Sequence, residues 1–237
     1  MALYTMADLH LSFGNEKPMD IFGNRWTDHA EKIRTRWSRL VTAGDTVVIP
    51  GDSSWAMSLE EAEKDLGFIN DLPGKKIIGK GNHDLWWASM KKNNDFIESR
   101  GFDSISFLYN NAYIAEGRMI CGSRGWYVEP SLQGEIGVEY DKVVSRERQR
   151  IINSLKSADR LDPEKQYERI LFLHFPPVFG DFRCGPLLDV IKDSGITRCY
   201  FGHIHGDYMI PASFEHGGTV YSLISSDYLN FIPQRVF

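Results

Sequence analysis

The sequence has 237 residues, 42% hydrophobic and 25% charged, with a net charge of -5, a balance that supports a buried core and a single α/β domain over residues 1–237. The acidic balance argues against a general nucleic-acid binder, which needs a basic footprint. No apolar run reaches the roughly 20 residues a spanning helix requires, the amino-terminal stretch has no secretory signal pattern, and the three scattered cysteines, Cys121, Cys184 and Cys199, neither staple a small fold nor form a zinc knuckle, so the expected location is cytoplasmic.

In chain order, residues 3–7 read as a strand. Thr27 or Asp28 can then cap a helix with Ala30, Ile33, Trp37 and Leu40 on one face, at spacings of three and four. Residues 46–49 form the next strand, and Ser58 with Glu61 makes a capping-box pattern before a helix carrying Ala62, Leu66 and Ile69. Pro73-Gly74 ends it, residues 76–78 give a third strand, and a helix is expected over 85–99. Three closely spaced strands follow at 105–108, 112–115 and 119–121, with no helix between them. Residues 122–137 give no assignment. Residues 139–156 read as a helix through Val143, Val144, Ile151, Ile152 and Leu155. After it come a strand at 169–173, a short helix at 187–192, and strands at 198–201 and 219–224. The mixture of βαβ units and hairpin-like runs points to two packed sheets with helices outside.

Five apolar runs end at a residue able to bind a metal: Asp8, Asp52, Asn82, His174 and His203. Sites in α/β sheets form beyond the carboxyl ends of strands, so these five should meet on one rim. In Asp8-Leu9-His10 and His203-Ile204-His205 the outer side chains point the same way if the backbone is extended. Taken singly, each motif also reads as a turn or a solvated loop. Together they hold five of the seven histidines, and imidazole and oxygen donors without thiolate suit Mn, Fe or Zn.

Asp8/His10, Gly51-Asp52, Gly81-Asn82-His83-Asp84, His174 and Gly202-His203-Ile204-His205 stand in the order D-x-H, G-D, G-N-H-D, H, G-H-x-H. In this the sequence resembles the calcineurin-like metallophosphoesterase superfamily, over residues 8–205. The resemblance implies a four-layer α/β/β/α sandwich of two mixed β-sheets flanked by helices. It also implies two divalent metal ions, one held by Asp8, His10, Asp52 and His205, the other by Asp52, Asn82, His174 and His203. The implied reaction is hydrolysis of a small phosphorylated substrate, a phosphomonoester or phosphodiester, by in-line attack of a hydroxide bridging the cations. Two such cations against two carboxylates and one hydroxide leave a net positive charge for phosphate. His83 would protonate the leaving alkoxide or stabilise transition-state charge.

The sequence departs from the protein-phosphatase branch. That branch extends G-D to G-D-x-x-D-R-G, whereas here Gly51-Asp52 continues as Ser53-Ser54-Trp55-Ala56-Met57. The phosphate-gripping arginine and the acid that orients the catalytic histidine are missing, which leaves Asp84 as the candidate partner of His83. With Leu85-Trp86-Trp87 after it, the pattern is similar to a bacterial subgroup of predicted phosphohydrolases. Trp55, Trp86, Trp87 and Trp126 are candidates for an aromatic wall over the metals, against ordinary core packing. Arg124 could bind phosphate oxygens, or be a loop arginine. Asp181 and Arg183 could belong to a lid, with a solvated loop as the plainer reading. The rival functions are a non-catalytic scaffold on the same fold, and a nuclease or nucleotide pyrophosphatase.

Overall fold

The first half of the chain alternates β1 (Leu3–Thr5), α1 (His29–Leu40), β2 (Thr46–Pro50), α2 (Leu59–Asp71), β3 (Lys75–Gly79), α3 (Met90–Ser99) and β4 (Ile105–Leu108). The second half holds β5 (Ala112–Ala115), β6 (Arg118–Ser123), α4 (Val138–Leu161), β7 (Glu168–Leu173), β8 (Val178–Phe179), β9 (Phe182–Arg183), α5 (Gly185–Asp193), β10 (Arg198–Phe201), β11 (Ser213–His216), β12 (Thr219–Leu223) and β13 (Gln234–Val236). This is a computed structural model that describes residues 1–15, 17–128 and 138–237, the side chains of 138 and 139 excepted. Much of the segment that carries no assignment by sequence pattern, 129–137, lies outside the described residues.

One sheet has the order β13-β1-β2-β3-β4 and the other β11-β12-β10-β7-β6-β5. The inner strands are parallel and the outermost β13, β11 and β5 run antiparallel to their neighbours. Strand alternation builds the layers. Val47 and Ile49 of β2 pack with Trp37 and Leu66 of the helices, while Val48 between them packs with Ile170 and Phe172 of the facing sheet. Leu171 and Leu173 of β7 turn outward, onto Ile151 and Leu187 of α4 and α5. The result is a mixed α/β sandwich, two large sheets face to face with helices on both outer sides. β2 is buried along its whole length, as a strand covered on both faces must be.

Local chemistry sets the element ends. Ser58 Oγ accepts the Glu61 backbone N–H and caps α2. The buried Lys76 ammonium donates to the carbonyls of Asn70 (3.0 Å), Leu72 (2.6 Å) and Gly74 (2.8 Å), which satisfies acceptors at the carboxyl end of that helix. α3 begins five residues later than expected, because Ser89 caps it through the Lys92 N–H and residues 85–89 form a turn. α4 runs five residues past the expected end. The short strands β8, β9, β11 and β13 were not anticipated, and Asp181 sits at the tip of the β8–β9 hairpin, with Arg183 in β9. Among the described residues no helix is long and apolar enough to cross a membrane.

The two sheets share one rim. Ala7 forms an isolated parallel bridge to Ser225, its N–H donating to the Ile224 carbonyl at 2.9 Å and its own carbonyl accepting from Ser226 N–H at 3.0 Å. This ties the carboxyl end of β1 to that of β12. Asp8, Asp52, Asn82, His174 and His203 all follow the carboxyl ends of parallel strands: β1, β2, β3, β7 and β10.

Candidate metal centre

Four residues of this rim hold their side chains inward on left-handed backbone: Asp8 (φ 61°), His10 (φ 47°), Asp52 (φ 51°) and His203 (φ 71°). Asp and His tolerate this conformation better than most residues, and left-handed non-glycine residues are frequent at functional sites. The flanking glycines make room. A Cβ at Gly81 would collide with the Asp52 carboxylate, and one at Gly202 with the Asp8 carboxylate and Ala7.

Asp8 and Asp52 lie buried between imidazoles. Asp8 Oδ1 is 3.5 Å from His174 Nδ1 and 3.8 Å from His205 Nε2. Asp52 Oδ2 is 3.4 Å from His174 Nε2 and 3.8 Å from His10 Nε2. Asp8, His10 and His205 each offer a ligand atom within 4.8 Å of the others, and so do Asp8, Asp52 and His174. Asp8 thus joins both groups. Asn82 Oδ1 accepts from His174 Nε2 at 2.7 Å, and the His203 ring lies 5.3 Å from that of His174. His203 N–H donates to Asp8 Oδ2 at 2.9 Å.

The electrostatics are those of a cation site. Burial first, and then neighbouring imidazoles, holds His10 and His174 well below the usual histidine range and His203 down to about 4, so their lone pairs are free of protons at neutral pH. Burial pushes Asp8 up to about 6. Burial and then the Asp84 and Asp8 charges push Asp52 well above its ordinary value. Two buried carboxylates this close together call for positive charge between them. Asp8 Oδ1, His10 Nδ1 and His174 Nδ1 are buried without a hydrogen-bond partner, a costly arrangement in a protein interior. His10 Nε2 and His205 Nε2 face each other at 3.3 Å. This donor set, its orphaned atoms and the space cleared by Gly81 and Gly202 fit divalent cations.

Asp227 was not anticipated. The imidazole Nδ1–H of His205 donates to its Oδ1 at 2.7 Å, and Gly206 N–H (3.2 Å) and Tyr208 O–H (3.1 Å) donate to its Oδ2. Burial opposes ionisation of Asp227, but the His205 hydrogen bond and charge prevail and hold it below the usual carboxylate range. Burial likewise opposes protonation of His205, yet the Asp8 and Asp227 carboxylates raise it. A charged acceptor on Nδ1 fixes the tautomer and leaves Nε2 aimed at Asp8 and His10.

Two sequence expectations need correcting. Asp84 does not orient the His83 imidazole. Its Oδ1 accepts from the N–H groups of Ser53 and Ser54, Ser53 Oγ and Trp86 Nε1, and its Oδ2 from the N–H groups of Asp52 and Gly81. It is the clasp that sets the Asp52 loop against the Asn82 loop. Trp86 is 2% exposed; bound to Asp84 through its N–H, it packs in the core and does not face the site. The Arg124 guanidinium pairs with the buried Glu147 at 3.4 Å, and its carbonyl accepts from the N–H groups of His174 and Phe175. Trp87 is buried against Phe107, and the half-buried Trp126 packs against Phe175.

Trp55 is at the site, stacked on His10 (4.9 Å, 25°) and 4.2 Å from the His83 ring. With Met19, Phe22, Trp26, His10, His83, His205 and Gly206 it lines a cavity of about 300 Å³.

Residues 1–207 match the model of the family described as calcineurin-like phosphoesterase. Among solved structures the chain is similar to the phosphopantetheinyl hydrolase from Mycobacterium tuberculosis (12% identity, TM-score 0.51, 100% of this chain and 95% of that one). It is also similar to TT1561 of Thermus thermophilus (9% identity, TM-score 0.54, 99% and 97%). At these identities the likeness is one of fold. No curated protein matches the chain.

Proposed function

The chain belongs to the calcineurin-like phosphoesterase family, a family of metal-dependent hydrolases, and we propose that it cleaves a small phosphomonoester or phosphodiester at a centre of two divalent cations. Asp8, His10, Asp52 and His205 would hold one, and Asp52, Asn82, His174 and His203 the other. The observation that carries this reading is the pair of buried carboxylates set between largely neutral imidazoles, with ligand atoms left unpartnered. Cations bound there would supply charge stabilisation of phosphoryl oxygens and an acidified water.

The chain's own residues position and polarise. Asp84 locks the two loops that carry Asp52 and Asn82. His83 donates its backbone N–H to Asp52 Oδ1 at 2.8 Å and lines the cavity with its ring. Burial, and then the Lys17 charge, hold its imidazole below the usual range, so at neutral pH it is mainly neutral. A neutral imidazole still donates one N–H hydrogen bond, and His83 would direct it to the charge developing on a phosphoryl or leaving oxygen. Trp55 and Trp26, packed against His10, limit water on that side.

Purified protein loaded with Mn²⁺ should hydrolyse 4-nitrophenyl phosphate or bis(4-nitrophenyl) phosphate. Asp52→Ala and His203→Ala should each bring turnover to background. Wild-type rates in both variants would refute the ligand assignment.

A further inference from the structure

Resting on that phosphoesterase reading, the geometry points to a substrate whose organic part is an apolar group such as an aromatic ring, seated in the cavity that Met19, Phe22, Trp26 and Trp55 line beside the ligand residues. The cavity is continuous with the site, because His10, His83 and His205 form one of its walls. A phosphoryl group among the ligand residues would therefore send its ester substituent into this space. The apolar wall is Met19, Phe22, Trp26 and Trp55, and it adjoins the histidines directly, Trp55 against His10 and His83 and Trp26 against His10 and His205.

That wall is held in shape by contacts that do not depend on a ligand. Trp26 meets His10 and His205 edge-on, each at 5.6 Å, and Phe231 at 5.4 Å. The Trp55 indole N–H donates to Met19 Sδ at 3.1 Å. The two indoles thus spend little rotamer freedom on receiving a group. About 300 Å³ is the lower end of the range for small-molecule sites, enough for one or two fused rings. Phe22 lines the cavity and is 56% exposed.

Two cations stand close to the lining residues. The Lys17 ammonium lies 3.7 Å over the Trp55 ring, and the Arg25 guanidinium 3.8 Å over that of Tyr208, the residue bonded to Asp227. Lys17 covers one face of Trp55, and both cations add positive charge near the site, which attracts an anionic ester. A sugar or other polyol in the same space would bury hydroxyls against indole and thioether surfaces that offer few partners, at the cost of unmade hydrogen bonds.

The test compares benzyl phosphate with glycerol phosphate, both esters of aliphatic alcohols, as substrates of the Mn²⁺-loaded protein. In parallel, calorimetry on the same protein compares benzylphosphonate with methylphosphonate, neither of which can be hydrolysed. Wild type should favour the benzyl compound by about tenfold or more in both kcat/KM and Kd, the scale on which apolar pockets discriminate. Trp26→Ala should erase the preference but removes a core residue; Phe22→Ala, at an exposed position, should reduce it severalfold. Equal handling of benzyl and glycerol esters, or a preference unchanged in Phe22→Ala, overturns the pocket assignment and leaves the phosphoesterase reading standing. Failure to cleave any phosphate ester while Mn²⁺ is bound overturns that reading and this inference with it.

Discussion

Replacing Asp227 by asparagine removes one acceptor where the structure needs two. Its Oδ1 serves His205 Nδ1, and its Oδ2 serves Gly206 N–H and Tyr208 O–H. An amide has a single acceptor oxygen. If that oxygen stays on His205, the new NH₂ meets the Gly206 N–H, donor against donor. If it turns to Gly206, the NH₂ faces His205 Nδ1, stabilises the tautomer with hydrogen on Nε2, and takes away the lone pair aimed at Asp8 and His10. Either way the ligand loses its orienting charge, and such partners of ligating histidines typically account for about 10- to 100-fold in metal affinity, or about 1.4–2.7 kcal/mol. The assay is competition of the protein against a fluorescent chelator for Mn²⁺ at pH 7.5. Asp227→Asn should weaken the affected site within that range while circular dichroism is unchanged. Affinity within about twofold of wild type would refute the positioning argument.

Asp84→Ala should destabilise the protein by about 3–5 kcal/mol in urea unfolding, since it strips buried acceptors from four backbone N–H groups at once; normal stability with only a loss of kcat would return Asp84 to the role of orienting His83. Trp86→Phe should lower stability through the lost Asp84 hydrogen bond by about 1–2 kcal/mol and leave KM unchanged, because the indole is core; a large rise in KM would contradict that. For the pH profile, burial and then the Lys17 charge hold the His83 imidazole below the ordinary histidine range, so it is mainly neutral at neutral pH. If it works as a neutral donor, kcat of the Mn²⁺ enzyme should hold from pH 6.5 to 8. A tenfold fall per pH unit across that interval, absent in His83→Gln, would show that the imidazolium is required.

The rim was legible in the sequence because each of Asp8, Asp52, Asn82, His174 and His203 closes a parallel strand, and strand ends are visible as apolar runs. The same rule reaches Asp227, which follows the run that becomes β12 by way of Ser225 and Ser226. It carries no recognised motif, so only the pairing of the β1 and β12 ends reveals it. Trp26, Met19 and Phe22 lie in the long connection between β1 and α1, where no periodicity gives direction to a side chain. Trp86 misled because closeness in sequence to His83 says nothing about facing: Asp84 takes its indole N–H and turns it inward. The edge strands β11 and β13 are short and half exposed, and take their form from their neighbours more than from an apolar pattern of their own.

The central claim is most directly tested by crystals grown with Mn²⁺ and examined for anomalous scattering. Two peaks roughly 3.5–4 Å apart, with the Asp8 and Asp52 carboxylates between them and His10, His205, His174, His203 and Asn82 around them, are the predicted result. A fully loaded crystal with no peak among these side chains, or with manganese bound elsewhere, would contradict it.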